Sequence, residues 1–222
     1  DTIIMNKKLL VVIVGPTAVG KTEITIELAE KLGSEIVSAD SMQIYRHMNI
    51  GTAKPSLDER RGIKHHMLDI IDPDENFSAA DFQGLAKKCI DSIHSYNKIP
   101  ILTGGTGFYI NSVCYNYTFS EFERDEELRQ KLRKQAQKYG KDFLHQKLNS
   151  FDPISAKKIH PNNVRRVIRA LEVCIKTGRP FSYYEEKTKK QDTPYKLLIY
   201  GLTRPREELY KRINDRVLVM FD

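Results

Sequence analysis

Residues Leu9 to Thr22 read LLVVIVGPTAVGKT. The first six are leucine and β-branched without interruption, the pattern of a strand buried on both faces. A glycine loop follows. Gly15-Pro16-Thr17-Ala18-Val19-Gly20-Lys21-Thr22 matches G-x-x-x-x-G-K-[ST], the phosphate-binding P-loop pattern. Its glycines let backbone N–H groups turn inward onto a phosphate, and the N-terminus of the next helix adds a positive dipole end. Lys21 supplies a point charge, and the Thr22 hydroxyl suits a Mg²⁺ ligand. The motif assigns a phosphate to Gly15, Thr17, Ala18, Val19, Gly20, Lys21 and Thr22. It leaves the phosphate compound open, a nucleoside triphosphate included.

Working outward, Lys21 to Leu32 predicts a helix with Ile24, Leu28 and Leu32 at helical spacing and Gly33 as its stop. Glu35 to Ser38 reads as a second strand, so strand, helix and strand form a βαβ unit and imply a parallel sheet. Ser78 and Asp81 make a capping-box start for a helix reaching about Tyr96, with Phe82, Leu85, Ile90 and Ile93 as its apolar stripe. Pro100 to Thr103 is a third buried strand, ending at Gly104-Gly105-Thr106-Gly107. Open α/β sheets bind ligands at the carboxyl ends of strands, so the ends near Gly15, Asp40 and Gly104 are expected to meet in one crevice.

Beyond Asn116 the texture changes. Arg124 to Lys190 reads as consecutive helices broken at Gly140, Asp152-Pro153, Pro161-Asn162 and Gly178-Arg179-Pro180. Strand character returns at Leu197 to Leu202, and Thr203 is expected to cap a helix carrying Arg206, Arg212 and Arg216. The fold class is therefore α/β, a P-loop NTPase-like parallel sheet core flanked by helices, with an all-helical insertion domain. The expected divisions are residues 1–120 for the first part of the core, 121–192 for the insertion and 193–222 for the return to the core. Asp1 to Ile4, ahead of Met5, read as an expression remnant, and the uncapped helical pattern from Arg216 to Asp222 predicts a truncated C-terminus.

Lys and Arg total 36 against 29 for Asp and Glu, a net +7 that permits a nucleic-acid partner without requiring one. The longest apolar run, Leu9 to Val14, is far short of the about 20 residues a membrane span needs, so no membrane partner and a cytoplasmic location are expected. Cys89, Cys114 and Cys174 are widely spaced, the pattern of reduced core thiols. Adjacent His65 and His66 point apart and lack a carboxylate at ligand spacing, which disfavours a metal role. Tyr183, Tyr184 and the phenylalanines of the insertion are expected in its core. Asp40 follows the second strand. A carboxylate facing a phosphate needs a metal or a proton-transfer task to justify it, and the alternative is a helix cap. Thr106 offers a hydroxyl into the same crevice.

Taken together, these residues resemble the tRNA dimethylallyltransferases, also called tRNA isopentenyltransferases. The likeness runs through GPTAVGKT, SADSMQIYRHMNIGTAKP, HHMLDIIDP, PILTGGTGFY, HPNNVRRVIRALEV, TGRP and LTRPREELYKRINDRV, in order along nearly the whole chain. It implies transfer of a dimethylallyl group from dimethylallyl diphosphate to the exocyclic amine of the adenine 3′ of the anticodon, with Mg²⁺. The P-loop would then hold the diphosphate rather than ATP. The resemblance makes Asp40 the general base, sets Thr106 near the bridging oxygen and has Arg216 act with Lys21 on the departing diphosphate. It also implies tRNA contacts from Asp40, Ser41, Met42, Gln43, Thr106, Arg129, Arg165, Arg166 and Arg169, with the anticodon stem-loop as partner and a monomer as the expected state. Val19 stands where many P-loops of that family carry a small polar residue. Rival readings are an isopentenyltransferase acting on free adenylate, a small-molecule kinase and a non-catalytic RNA-binding P-loop protein. The arginines between Asn163 and Lys176 argue against the first, and the want of a lid-like arginine pattern argues against the second.

Overall fold

The computed structural model describes residues 7–117, 119, 125–189 and 192–221. Along the chain run β1 (Leu9–Val14), α1 (Lys21–Leu32), β2 (Ile36–Ser38), β3 (His65–His66), α2 (Ala79–Ser95), β4 (Ile101–Gly104) and α3 (Gly107–Cys114). There follow α4 (Glu126–Tyr139), α5 (Lys141–Phe151), α6 (Pro153–Lys158), α7 (Val164–Thr177), α8 (Phe181–Lys189), β5 (Lys196–Gly201) and α9 (Arg206–Phe221). The chain divides into two compact units, Asp1–Asn116 with Asp192–Asp222, and Tyr117–Gln191. Arg124, Lys190, Asp222 and the opening residues Asp1 to Met5, on which sequence expectations fell, lie outside the described residues.

The first unit is built on a five-stranded sheet in the order β3-β2-β4-β1-β5, with every pair parallel. β1 and β2 are not neighbours, because β4 lies between them. Alternate residues of a strand face opposite sides, and the core divides accordingly. Leu10, Val12, Val37 and Leu102 pack with Phe82, Ala86, Ile90 and Ile93 of α2. Val11, Ile13, Ile36 and Ile101 pack with Ile26 and Ala29 of α1. Both faces of the sheet are thus covered, which is why β1 carries no polar residue. Among the described residues β5 pairs with β1 alone and is largely exposed, Leu198, Ile199 and Tyr200 included.

Three local expectations need correction. α1 buries Thr25, Ile26 and Ala29, and leaves Ile24 and Leu32 exposed. The sheet-facing side is set one residue away from the apolar series that periodicity selects. On α2, Ala86 takes the core position and Leu85 is exposed. The capping box at Ser78 and Asp81 is present. Thr203 does not cap α9, which begins at Arg206 after Pro205. Proline disfavours helical backbone in the residue before it, so Arg204 cannot join the helix.

The second unit consists of helices and their connections among its described residues, with no strand. Asp152 accepts from Ser155 N at 3.0 Å and caps α6, where Pro153 takes the first position. Asn163 accepts from Arg166 N and caps α7, which ends at left-handed Gly178. The core is aliphatic: Leu132, Leu144, Leu148, Val167, Ile168 and Leu171 lead it. Of the aromatic residues expected there, Phe181 packs against this core, and others lie elsewhere. Phe143 and Phe151 are exposed, and half-buried Tyr183 has Arg179 and Lys187 over its ring, each about 5.0 Å from the centroid. Branched aliphatic side chains fill most of the space between the short helices. Among the described residues no helix is long and apolar enough to cross a membrane.

Candidate active site

The register of the sheet brings the carboxyl ends of its central strands level. Val14 pairs with Gly104 and Ser38 with Thr103. Ala39 N donates to Thr103 O at 2.7 Å, and Thr106 N donates back to Ala39 O at 3.1 Å, stitching two loops into one rim. The approach needs a glycine: a Cβ on Gly104 would lie 2.2 Å from Ala39 O. The loops carrying Asp40 and Thr106 therefore meet beside the P-loop, as the strand ends predicted.

Within the P-loop, Gly20 stands at φ 103° and hands the chain to α1, while Ala18 is left-handed at φ 61°. Lys21 Nζ reaches back to Gly15 O (2.8 Å) and Pro16 O (2.7 Å). Partial burial lowers the Lys21 pKa, the Asp40 carboxylate opposes that, and the Arg216 guanidinium adds to it. Lys21 thus feels the charges of both Asp40 and Arg216. The Val19 side chain is buried, with its Cγ1 3.1 Å from where a Cβ on Gly15 would stand.

Asp40 caps a turn rather than a helix. Its Oδ1 accepts from Met42 N (2.9 Å) and Gln43 N (3.3 Å), and no protein donor meets Oδ2 among the described residues. Thr106 Oγ1 accepts from Ser41 N at 2.9 Å, which couples the two loops again. Met42 is exposed, whereas the Gln43 amide donates to Thr52 O (3.0 Å) and Ala53 O (3.2 Å). Arg216 Nη1 donates to Thr17 Oγ1 (3.1 Å) and Nη2 to Thr52 O (3.3 Å).

Among known families, the model described as IPP transferase matches residues 43–222. The chain belongs to the IPP transferase family. A tRNA dimethylallyltransferase from Alkaliphilus metalliredigens is 56% identical over 218 residues, 98% of this chain and 69% of that protein. The solved full-length tRNA isopentenylpyrophosphate transferase of Bacillus halodurans is 47% identical with a TM-score of 0.65, over 97% of this chain and 66% of that one. A eukaryotic dimethylallyltransferase solved while acting on tRNA is 34% identical with a TM-score of 0.80, over 96% of this chain and 53% of its own.

Two arginines to which sequence reasoning assigned no role reach the P-loop backbone of this IPP transferase family member. Arg212 Nε donates to Ala18 O at 2.8 Å and Arg204 Nε to Val19 O at 2.9 Å. Arg212 stands four residues before Arg216, on the same helix side, and that spacing was a readable signal. Arg204 precedes a proline outside any periodic element and gave none. Arg206 faces elsewhere, 5.3 Å from the Tyr210 ring centroid.

In the helical unit the four arginines of the resemblance divide into two kinds. Arg129 donates to both oxygens of Glu172, Nε to Oε1 at 2.9 Å and Nη2 to Oε2 at 2.8 Å, and Arg169 Nη1 donates to Oε2 at 2.6 Å. The Glu172 side chain is 1% exposed. Burial pushes its carboxyl upward, but Arg129, Arg169 and the Asp125 N–H hold it down at about 2. Arg165 and Arg166 are exposed, Arg166 with Glu185 at 3.1 Å. Arg165 lines a cleft of about 610 Å³ with Arg129 and Arg133. His66 Nε2 meets Glu35 Oε2 at 2.7 Å and His65 Nδ1 meets Ile63 O at 2.9 Å, so both are tied structurally. No cluster of three or more potential metal ligands occurs among the described residues. All three cysteines are free, and burial pushes the Cys114 thiol up to about 12.

Proposed function

We propose that the chain transfers a dimethylallyl group from dimethylallyl diphosphate to the exocyclic amine of the adenine 3′ of the anticodon in tRNA. The observation that carries this reading is the gathering of Lys21, Arg216, Asp40 and Thr106 around one P-loop. A kinase needs its cations spread over a triphosphate. Here a base with a free oxygen stands beside two cations, the arrangement a leaving diphosphate and an attacking amine require.

In the reaction, the bond between the allylic carbon and the bridging oxygen breaks while the adenine nitrogen bonds to that carbon. Charge grows on the leaving oxygens, so fixed N–H donors and cations there lower the barrier most. The P-loop amides of Gly15, Thr17, Ala18, Val19, Gly20, Lys21 and Thr22 take the diphosphate, with the Lys21 and Arg216 charges on it. Asp40 Oδ2 accepts the amine proton, since Oδ1 is engaged by two backbone donors. Thr106, anchored to Ser41, sets its hydroxyl toward the bridging oxygen. Ser41 and Met42 line the place of the adenine, which must leave its stack to reach them, while the Gln43 amide is engaged by Thr52 O and Ala53 O.

Mg²⁺ fits this donor set. Thr22 is exposed at the first turn of α1, and its hydroxyl has no protein partner among the described residues. One hard oxygen ligand, completed by diphosphate oxygens and waters, is how Mg²⁺ is commonly held. When bound, the ion would neutralise part of the diphosphate charge.

The anticodon stem-loop is the proposed partner of the helical unit. Arg165 and Arg166 are exposed for phosphate contacts, with Arg129 and Arg169 beside them. The test is label transfer from dimethylallyl diphosphate to unmodified tRNA, with AMP alongside, in wild type and Asp40→Asn. The amide keeps the Oδ1 acceptor for Met42 and Gln43 but is not a base. Turnover on tRNA alone, falling about 10²–10⁴-fold in the variant with donor affinity unchanged, is the expected result. Label on AMP, or undiminished turnover in Asp40→Asn, would refute it.

A further inference from the structure

We infer that Lys54, together with Gln43, is a positioning residue for the diphosphate site: it holds a strap of chain that in turn aims Arg216 at the P-loop. The inference rests on the proposed role of Arg216. Lys54 has a side chain only 2% exposed, a costly place for an ammonium unless it does something there. Its Nζ donates to Tyr45 O at 2.7 Å and pairs with Asp69 Oδ1 at 2.5 Å, and Arg60 supports Asp69 from 3.7 Å. Tyr45 and Lys54 are the two ends of one strap, so a single ammonium closes it.

Local bonds fold the strap between those ends: Thr52 Oγ1 donates to Met48 O and Lys54 N to Asn49 O. The result leaves Ala53 at φ 44°, a left-handed backbone that an alanine adopts only when its surroundings impose it. The strained segment presents the Thr52 carbonyl. That oxygen receives the Gln43 amide from one side and Arg216 Nη2 from the other. Arg216 Nε is buried with no partner among the described residues, so the guanidinium is oriented by its two Nη bonds, to Thr52 and Thr17. Loosening the strap removes one of those two. Gln43, which the family resemblance offers as a base reader, has its amide turned to Thr52 and Ala53 instead.

Binding of inorganic pyrophosphate with Mg²⁺, without tRNA, tests this in wild type, Lys54→Met, Gln43→Leu, Arg216→Ala and each double variant. If the strap acts through Arg216, Lys54→Met and Gln43→Leu each weaken pyrophosphate binding by about tenfold, and neither weakens it further once Arg216 is alanine. Losses that multiply in the double variants, or wild-type binding in both single variants, would overturn the inference. A base-reading Gln43 would likewise leave pyrophosphate binding untouched. Should Lys54→Met not fold, Gln43→Leu, at a half-buried site, decides the matter alone. Wild-type binding and turnover in Arg216→Ala would instead overturn the role given to Arg216 itself.

Discussion

Glu172→Gln is the substitution whose outcome the structure fixes most tightly. The carboxylate is 1% exposed and takes hydrogen bonds from Arg129, Arg169 and the Asp125 N–H. Its folded pKa is depressed from 4.5 to about 2. A depressed carboxyl pKa contributes stability that is complete above the unfolded value and lost as pH falls toward the folded one. A tenfold change in a protonation equilibrium is worth about 1.4 kcal/mol, so the ionised form contributes on the order of 3 kcal/mol at neutral pH. Removing one partner of a buried pair by mutation costs about 3–5 kcal/mol, a figure of the same size from a different experiment. Urea unfolding followed by far-ultraviolet circular dichroism should give a deficit of about 3 kcal/mol for the variant at pH 7. The deficit should shrink between pH 4.5 and pH 2, where wild type itself loses the charge. A deficit unchanged at pH 2, or none at pH 7, would refute the ion-pair argument. The result bears on function as well, because an arginine committed to a buried carboxylate has little left for phosphate.

The exposed and committed arginines should therefore behave differently toward tRNA. Arg165→Ala is expected to lower the slope of log affinity against log salt by about 1, measured by filter binding. Arg129→Ala should instead lower the unfolding midpoint. Gly104→Ala would set a methyl group 2.2 Å from the Ala39 carbonyl. Parting the two strand ends should cost about 3 kcal/mol in thermal or urea unfolding, and label transfer should fall in the same protein. Arg212→Ala removes the guanidinium that holds Ala18 O, while Ala18 sits at φ 61°. Loss of one charge-assisted bond of about 1.5–3 kcal/mol should appear as a donor KM raised about tenfold or more in steady-state kinetics.

What the sequence disclosed follows from the range of the forces involved. β1 and the P-loop were legible because a strand covered on both faces must be apolar at every position, and a phosphate cradle needs glycines at fixed offsets. The helix breaks at Gly140, Asp152-Pro153 and Gly178 were legible because caps and left-handed turns are chosen within a few residues. The apolar sides of α1 and α2 were misplaced at their margins, since a helix with several surplus apolar residues does not itself say which ones the sheet covers. The interior of the helical unit was legible only in part, with Phe181 against the core but Phe143 and Phe151 exposed, because size and apolarity alone do not tell which rings fit between short helices.

The long-range clamps escaped notice for a deeper reason. Arg204 and Arg212 meet the P-loop across 185 and 194 positions of chain, and both donate to backbone carbonyls. A carbonyl has no side-chain identity, so no pairing of residue types marks the contact. Lys54 is the same case, with Tyr45 O as one of its two partners. By contrast, Asp40 stood out as a carboxylate set beside a phosphate loop, and which of its two oxygens the backbone engages needed coordinates. A residue that touches the reacting atoms must be of a given chemical type, and a type can be read in one dimension. A residue that holds a loop in shape needs only a donor in the right place, and place is what a sequence leaves out. The groups most easily missed in such a site are therefore the cations bound to backbone, and their loss should be felt first in donor binding.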